Sequence, residues 1–176
     1  NKFNSLYTHE YYPYSARLYD KCMEALEKWF DKKDTDISPS LKAEKTAIKE
    51  LMDNFDILRC SGGVITIDNE VAAFTFGELL NNEMAVIHIE KADPDIQGAY
   101  SVINQKFCEA RWSDIKYINR EEDMGIEGLR KSKKSYHPVK MIKKFTACLN
   151  MSRLKYQCAI TEACNDGCEA CVHSRH

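Results

Sequence analysis

The chain is short of glycine and proline, with seven and four in 176 residues, and it holds only two tryptophans. So few Gly and Pro exclude collagen-like and low-complexity classes. With 44% hydrophobic and 30% charged residues, the composition is that of a globular chain with a core to bury. No apolar run comes near the ~18–20 residues that cross a bilayer. The opening Asn1-Lys2-Phe3-Asn4-Ser5 lacks the apolar stretch of a signal peptide. These absences imply a cytoplasmic protein without a transmembrane segment. Its length suits one domain, or one domain with part of another. A start at Asn1 rather than Met reads as a fragment or a processed chain.

Acid is missing from one segment. Residues 1–129 hold 15 Lys and Arg against 24 Asp and Glu, whereas 130–161 hold nine cations and no acid. Such a block attracts the phosphates of tRNA or another anionic ligand, and the 130–155 segment is the candidate surface for it. The alternative is a solvated basic face that balances the acidic remainder. Of the eight cysteines, Cys22, Cys60, Cys108 and Cys148 stand singly in apolar or mixed patterns and read as buried free thiols. Cys158, Cys164, Cys168 and Cys171 crowd the end with His173. Their spacing fits an iron–sulfur cluster, zinc or a metal-free tail, and no metal is assigned.

Periodicity gives the order of elements. Leu18, Cys22, Leu26, Trp29 and Phe30 recur at helical spacing within 15–33, and Leu41, Ala47, Ile48, Leu51 and Met52 do so within 41–54, where Ser40 can cap. After Leu58 the period changes to two. Strands are expected at 62–67, 70–77 and 84–90, a helix at 97–110, a strand at 115–119, a helix at 125–135 and a strand at 139–145. The expected fold class is α+β, a mixed, mainly antiparallel sheet flanked by helices. Three regions follow: a helical segment at 1–54, the sheet domain at 55–147 and a Cys-rich tail at 148–176.

Three stretches carry a resemblance: His88-Ile89-Glu90-Lys91-Ala92-Asp93, Gly98-Ala99-Tyr100-Ser101-Val102-Ile103-Asn104, and Tyr117 through Pro138. Within the last, Gly128, Leu129, Arg130, Lys133, Tyr136 and Pro138 fit a Gly-Leu-Arg-x-x-Lys-x-x-aromatic-x-Pro pattern. The chain resembles the phosphatidylglycerol lysyltransferase C-terminal-domain family, in particular its soluble bacterial members, over about residues 40–147. The resemblance implies a fold like that of the acyl-CoA N-acyltransferases (GNAT). It also implies a tandem of two acyltransferase-like units, of which this chain looks like the second with the connecting helices before it. The donor it implies is acyl-CoA or aminoacyl-tRNA. Lys140 stands where the lipid-modifying enzymes usually have an aromatic residue, so the acceptor is left open.

Transfer from an activated ester needs an acceptor held in line, a base for its proton, and positive charge or N–H groups near the carbonyl oxygen and phosphates. Glu90, Glu121 and Asp123 are the candidate bases. Arg120, Arg130 and Lys133 can clamp an anion, and Gln97-Gly98 at a helix start can offer N–H groups to one. His88, Lys91, Tyr100, Asn104, Asn119 and Tyr136 complete the substrate-binding candidates from the resembling stretches. Against these roles stand a surface ion-pair cluster for 120–123, a satisfied half-buried histidine for His88, and packing for Tyr100 and Tyr136. Two further classes of function remain: a non-catalytic module binding a tRNA end, nucleotide or peptide, and a metal-dependent redox protein that rests on the tail alone.

Overall fold

The computed structural model describes residues 2–32, 39–143, 146–149, 158–161 and 169–174. It divides into two compact units, Asn1–Leu80 with Ile87–Asp114, and Asn81–Val86 with Ile115–His176.

The first unit runs α1 (Lys2–Leu6), β1 (His9–Pro13), a 3-10 turn (Ala16–Leu18), α2 (Tyr19–Asp31), α3 (Pro39–Asp53), α4 (Phe55–Leu58), β2 (Ser61–Ile67), β3 (Glu70–Asn81), β4 (Met84–Ala92) and α5 (Ala99–Arg111). Its strands lie in the order β1-β2-β3-β4. β1 pairs antiparallel with β2 (His9↔Ile67 to Pro13↔Gly63), and β2 antiparallel with β3 (Ser61↔Gly77 to Ile67↔Glu70), with a bulge at Ile65/Thr66. Alternation along these strands divides the core. Val64, Phe74 and Phe76 pack with Tyr14, Cys22, Leu26, Trp29, Phe30, Ile48 and Met52 from the α2 and α3 side. Ile65, Ala72 and Ala73 pack with Phe3, Ala99, Val102 and Ile103 from α1 and α5. β3 is therefore buried from Val71 to Gly77 without a break, as a strand covered on both faces must be. Each fully buried Phe, Leu or Ile contributes about 1.5–3 kcal/mol of transfer free energy. Trp29 stacks on Phe74 with centroids 5.6 Å apart.

The second unit holds β4 residues 84–86, β5 (Tyr117–Asn119), α6 (Glu127–Lys134), β6 (Lys140–Lys143), β7 (Thr146–Leu149), β8 (Cys158–Thr161) and β9 (Glu169–Ser174). Met84–Val86 pair in parallel with Tyr117–Asn119. β9 runs antiparallel to both β5 and β6, and β7 and β8 form a separate antiparallel pair. The sheet is thus mixed and mainly antiparallel, with helices beside it, as the α+β reading expects. Among the described residues no helix is long and apolar enough to cross a membrane.

The elements differ from expectation where local signals are weak. α3 begins at Pro39, so Ser40 lies inside the helix: proline's fixed φ suits the first helical position. α5 begins two residues later than expected, because Gly98 at φ +89 is its N-cap. The helical segment 1–54 also contains β1, whose polar sequence shows no alternation and whose extended state is set by pairing with β2. Lys144 and Phe145, at the end of the expected last strand, lie outside the described residues. So do Cys164 and Cys168 of the Cys-rich tail.

Gly62 allows two aromatic layers to close: a Cβ there would meet Tyr14 Cβ at 2.6 Å and Phe76 at 2.7 Å. Gly128, within α6, has open space around it. Gly62→Ala should therefore destabilise by about 1–3 kcal/mol through overpacking. Gly128→Ala should be neutral or stabilising by about 0.5–1 kcal/mol. Denaturant midpoints of the two variants check this, and equal shifts would refute the close-packing account.

Candidate functional site

The first unit carries seven of the expected site residues. The second half of β4 leaves the core, with His88 exposed and Glu90 and Lys91 half-buried. Glu90 accepts a hydrogen bond of 2.9 Å from Asn104 Nδ2, on the inner face of α5. That amide fixes one carboxylate oxygen of Glu90. His88 turns to another partner, with Nε2 3.0 Å from Glu78 Oε1. Thr75, fully buried, donates 2.7 Å to the Ile89 carbonyl between them.

Lys91 and Tyr100 meet at a hollow of about 20 Å³ lined also by Leu26, Trp29, Phe30 and Pro94. It has room for about one water. The Lys91 ammonium is 2.6 Å from Glu44 Oε1 and 5.7 Å from the Phe30 ring centroid. Burial raises the Tyr100 hydroxyl pKa, a hydrogen bond with the Ala92 backbone opposes it, and the Glu90 and Glu44 charges add to the rise. Tyr100 therefore keeps its proton at neutral pH.

Gln97 and Gly98 lie at the turn into α5. Three side chains that the sequence did not single out shape that turn: Lys32 lies 3.0 Å from Asp93 Oδ1 and 2.7 Å from Asp95 Oδ2. Burial alone would raise the Asp93 carboxyl pKa, but the Asp95 N–H, Lys32 and Trp29 outweigh it and lower it. The signal available in sequence was Asp-Pro-Asp just before a helix. Glu44 and Trp29, which stood only as helix residues, gave no functional signal, because only the packing of α3 and α2 brings them to Lys91.

The second unit carries the other seven, and most are bonded to one another. Asp123, 1% exposed, accepts from Arg130 Nε at 2.6 Å and from the Gly125 N–H at 2.9 Å. Lys133 donates to the carbonyl of Arg120 and, at 2.6 Å, to that of Glu122. The Arg120 guanidinium lies 4.2 Å from the Tyr136 ring centroid. Asn119 Oδ1 accepts the Glu121 N–H at 2.8 Å. These bonds hold a turn in which Glu121, Met124 and Gly125 all have positive φ. Glu121 is half-buried. The arrangement makes Asp123 an anchor for the turn, and it gives Arg130 and Lys133 work within the protein.

Asp123→Asn should cost about 1.5–3 kcal/mol, the value of a charge-assisted bond lost at a buried carboxylate. Thermal or denaturant unfolding measures it, and an unchanged midpoint would remove the anchoring role. The Asp93 carboxyl predicts a pH effect of definite sign. Because its folded pKa is lowered, its stabilisation is present above the unfolded value near 3.8 and is lost as pH falls through the lower folded value. The melting temperature should drop below that pH, and Asp93→Asn should drop less; parallel curves would show that Asp93 is not coupled to folding.

Comparison with known proteins follows the same lines. Residues 1–148 match the family described as phosphatidylglycerol lysyltransferase, C-terminal. The match starts well before residue 40, at which the resemblance read from the sequence begins. No curated protein matches the chain. A conserved protein of unknown function from Bacteroides thetaiotaomicron VPI-5482 is 38% identical, with a TM-score of 0.76 over 80% of this chain and 48% of that one. The chain thus spans about half the length of that relative. A GNAT-family acetyltransferase from Staphylococcus aureus Mu50 (TM-score 0.55, 8% identity, 95% of this chain and 99% of that one) shares the fold. So does an acetyltransferase from Streptococcus agalactiae 2603 (TM-score 0.54, 13% identity, 95% and 98%). The fold is GNAT-like, and with residues 1–148 matched, the chain belongs to the phosphatidylglycerol lysyltransferase C-terminal family.

Proposed function

We propose that the chain is an acyl-transferring domain, moving an aminoacyl or acyl group from an activated donor to an amine or hydroxyl acceptor. The observation that carries this reading is the family match across residues 1–148 on a GNAT-like fold. The donor is aminoacyl-tRNA or acyl-CoA, the setting is the cytoplasm, and the basic 130–155 segment is the surface for an anionic partner. A second acyltransferase-like unit accompanies this one, in keeping with the length of the Bacteroides thetaiotaomicron relative.

In the first unit Glu90 is the base. Its carboxylate, oriented by Asn104, takes the proton of the acceptor as the acceptor's lone pair forms a bond to the donor carbonyl carbon. The bond from that carbon to the leaving group breaks, and the leaving group takes a proton from Tyr100 or from water. Lys91, at the same hollow as Tyr100, supplies positive charge for the developing oxyanion. In the second unit Glu121 is the alternative base, and Asn119, Arg120 and Tyr136 border its turn. His88, Gln97 and Gly98 bind substrate beside the first-unit group.

One observation favours a second reading, a non-catalytic binding module. Arg130 and Lys133, the cations of the family pattern, are bonded to Asp123 and to backbone carbonyls, which is what a scaffold motif needs. Rate and affinity separate the two readings. For a transferase, Glu90→Gln should lower turnover by roughly 10²–10⁴ and leave donor binding nearly unchanged, because a general base acts in the transition state. The assay follows labelled amino acid from charged tRNA and labelled acetate from acetyl-CoA to a panel of amines and lipids, beside binding isotherms. Donor binding without transfer to any acceptor, in a chain as long as the Bacteroides thetaiotaomicron relative, would favour the module.

A further inference from the structure

We infer that Asp93 and Asp95 are specificity-determining residues that keep a pyrophosphate, and with it coenzyme A, away from the start of α5. The inference deepens the transferase reading above and rests on it, since it concerns which donor that reaction takes. A GNAT-like fold implies an acyl-CoA donor, and the place for its phosphates can be tested against the residues present.

By backbone alone the start of α5 is a better anion seat than those of α2 and α6. α2 has Asp20 in its first turn and α6 has Glu127, whereas α5 has no acid in its first turn and Gly98 as its N-cap. A helix start of this kind favours phosphate through its N–H groups and dipole. The turn before it reverses that preference. The N–H groups of Asp93, Asp95, Ile96 and Ala99 are bonded internally, to Ala72 O at 2.9 Å, Asp93 Oδ1 at 3.0 Å, Asp93 O at 3.1 Å and Ile96 O at 3.2 Å. On one side of Gly98, Phe3 fills the space, 3.4 Å from where a Cβ would stand. Two carboxylates share the Lys32 ammonium, so the turn carries a net negative charge. Asp95 is largely exposed and bonded to Lys32; Asp93 is held by Lys32 and by its own turn.

The residues present do not fit a pyrophosphate. With two carboxylates against one ammonium, the excess negative charge of this turn repels a phosphate brought to it. The donor class that remains carries its activated acyl group without a pyrophosphate seated at α5.

The test uses the amide resonances of Gly98 and Ala99 in the whole chain, with coenzyme A itself as the probe. Three proteins are titrated: the parent, Asp95→Asn, and Asp93→Asn with Asp95→Asn. In the parent these amides should stay in place at millimolar coenzyme A. In the double variant they should move, with affinity at least tenfold above the parent limit and falling as salt is added. Should the double variant fail to fold, Asp95→Asn decides alone, since its carboxylate is mostly exposed. Parent amides that move with coenzyme A overturn the inference, and so do amides that stay still in a folded variant lacking the carboxylate. Failure of the transferase reading is distinguishable: it is absence of transfer from every donor, whatever coenzyme A does to these amides.

Discussion

Most of the first unit follows from one constraint, the burial of β2 and β3 on both faces. A strand pair covered on two sides needs apolar side chains at consecutive positions, and β3 supplies them from Val71 to Gly77. It also needs places where layers can approach closely, and Gly62 provides one beneath Tyr14 and Phe76. With the pair so occupied, polar groups have no room there beyond Thr66 and Thr75, and the Thr75 hydroxyl is bonded to the Ile89 carbonyl. Polar chemistry is displaced to the next strand. β4 is buried at Ala85–Ile87, opens at His88–Lys91 and closes again at Ala92. The candidate groups Glu90, Lys91 and Tyr100 stand where the sheet changes from core to surface.

The second unit treats charge differently. Its family pattern reads in sequence as an anion clamp, since arginine and lysine recur at helical spacing after a run of acids. In three dimensions the same residues close a turn of unusual backbone. Asp123 is almost wholly buried and accepts Arg130 and a backbone N–H together, a geometry in which neither the carboxylate nor the guanidinium is left without compensation. Lys133 binds two carbonyls of the same turn. Three residues with positive φ follow within it, two of them not glycine, and each such residue costs of order 1 kcal/mol or more. The bonds from α6 offset that strain. Recurrence of these residue types in a family is therefore compatible with a structural demand as well as a chemical one.

Period and burial made the strands legible. Val64-Ile65-Thr66-Ile67 and Met84 to Glu90 gave β2 and β4 because β-rich runs bounded by Asp68-Asn69 and Asn81-Asn82 have few alternatives. β1 was not legible, since His9-Glu10-Tyr11-Tyr12-Pro13 becomes a strand only through a partner fifty or more residues away. At the site, the pairing of Glu90 with Asn104 could be anticipated only as residue types, because the contact depends on how α5 lies over β4. The Lys91–Glu44 pair was illegible for the same reason. Asp93 and Asp95 stood in plain view beside Gln97-Gly98. Their effect is not visible there, because the anion preference of a helix start depends on the charge of the turn leading to it as well as on its own N–H groups.

Charge in a connecting turn is one way in which a shared fold diverges in chemistry. A helix start presents a positive partial charge of roughly half a unit, and acids close to it lower the energy of the protein itself. Asp93 and Asp95 lie in the turn just before α5, where both are bonded to Lys32. A phosphate brought to this helix start meets the negative charge of the turn before it, and those side chains are covalently part of the chain. If these carboxylates exclude a pyrophosphate, two acidic side chains at one turn change which donors a GNAT-like sheet accepts without altering a strand, a helix or the core beneath them. Short connecting segments can thus change the charge that meets a ligand while the doubly covered sheet stays the same, even where, as at Asp93, the backbone N–H is bonded to the Ala72 carbonyl of β3.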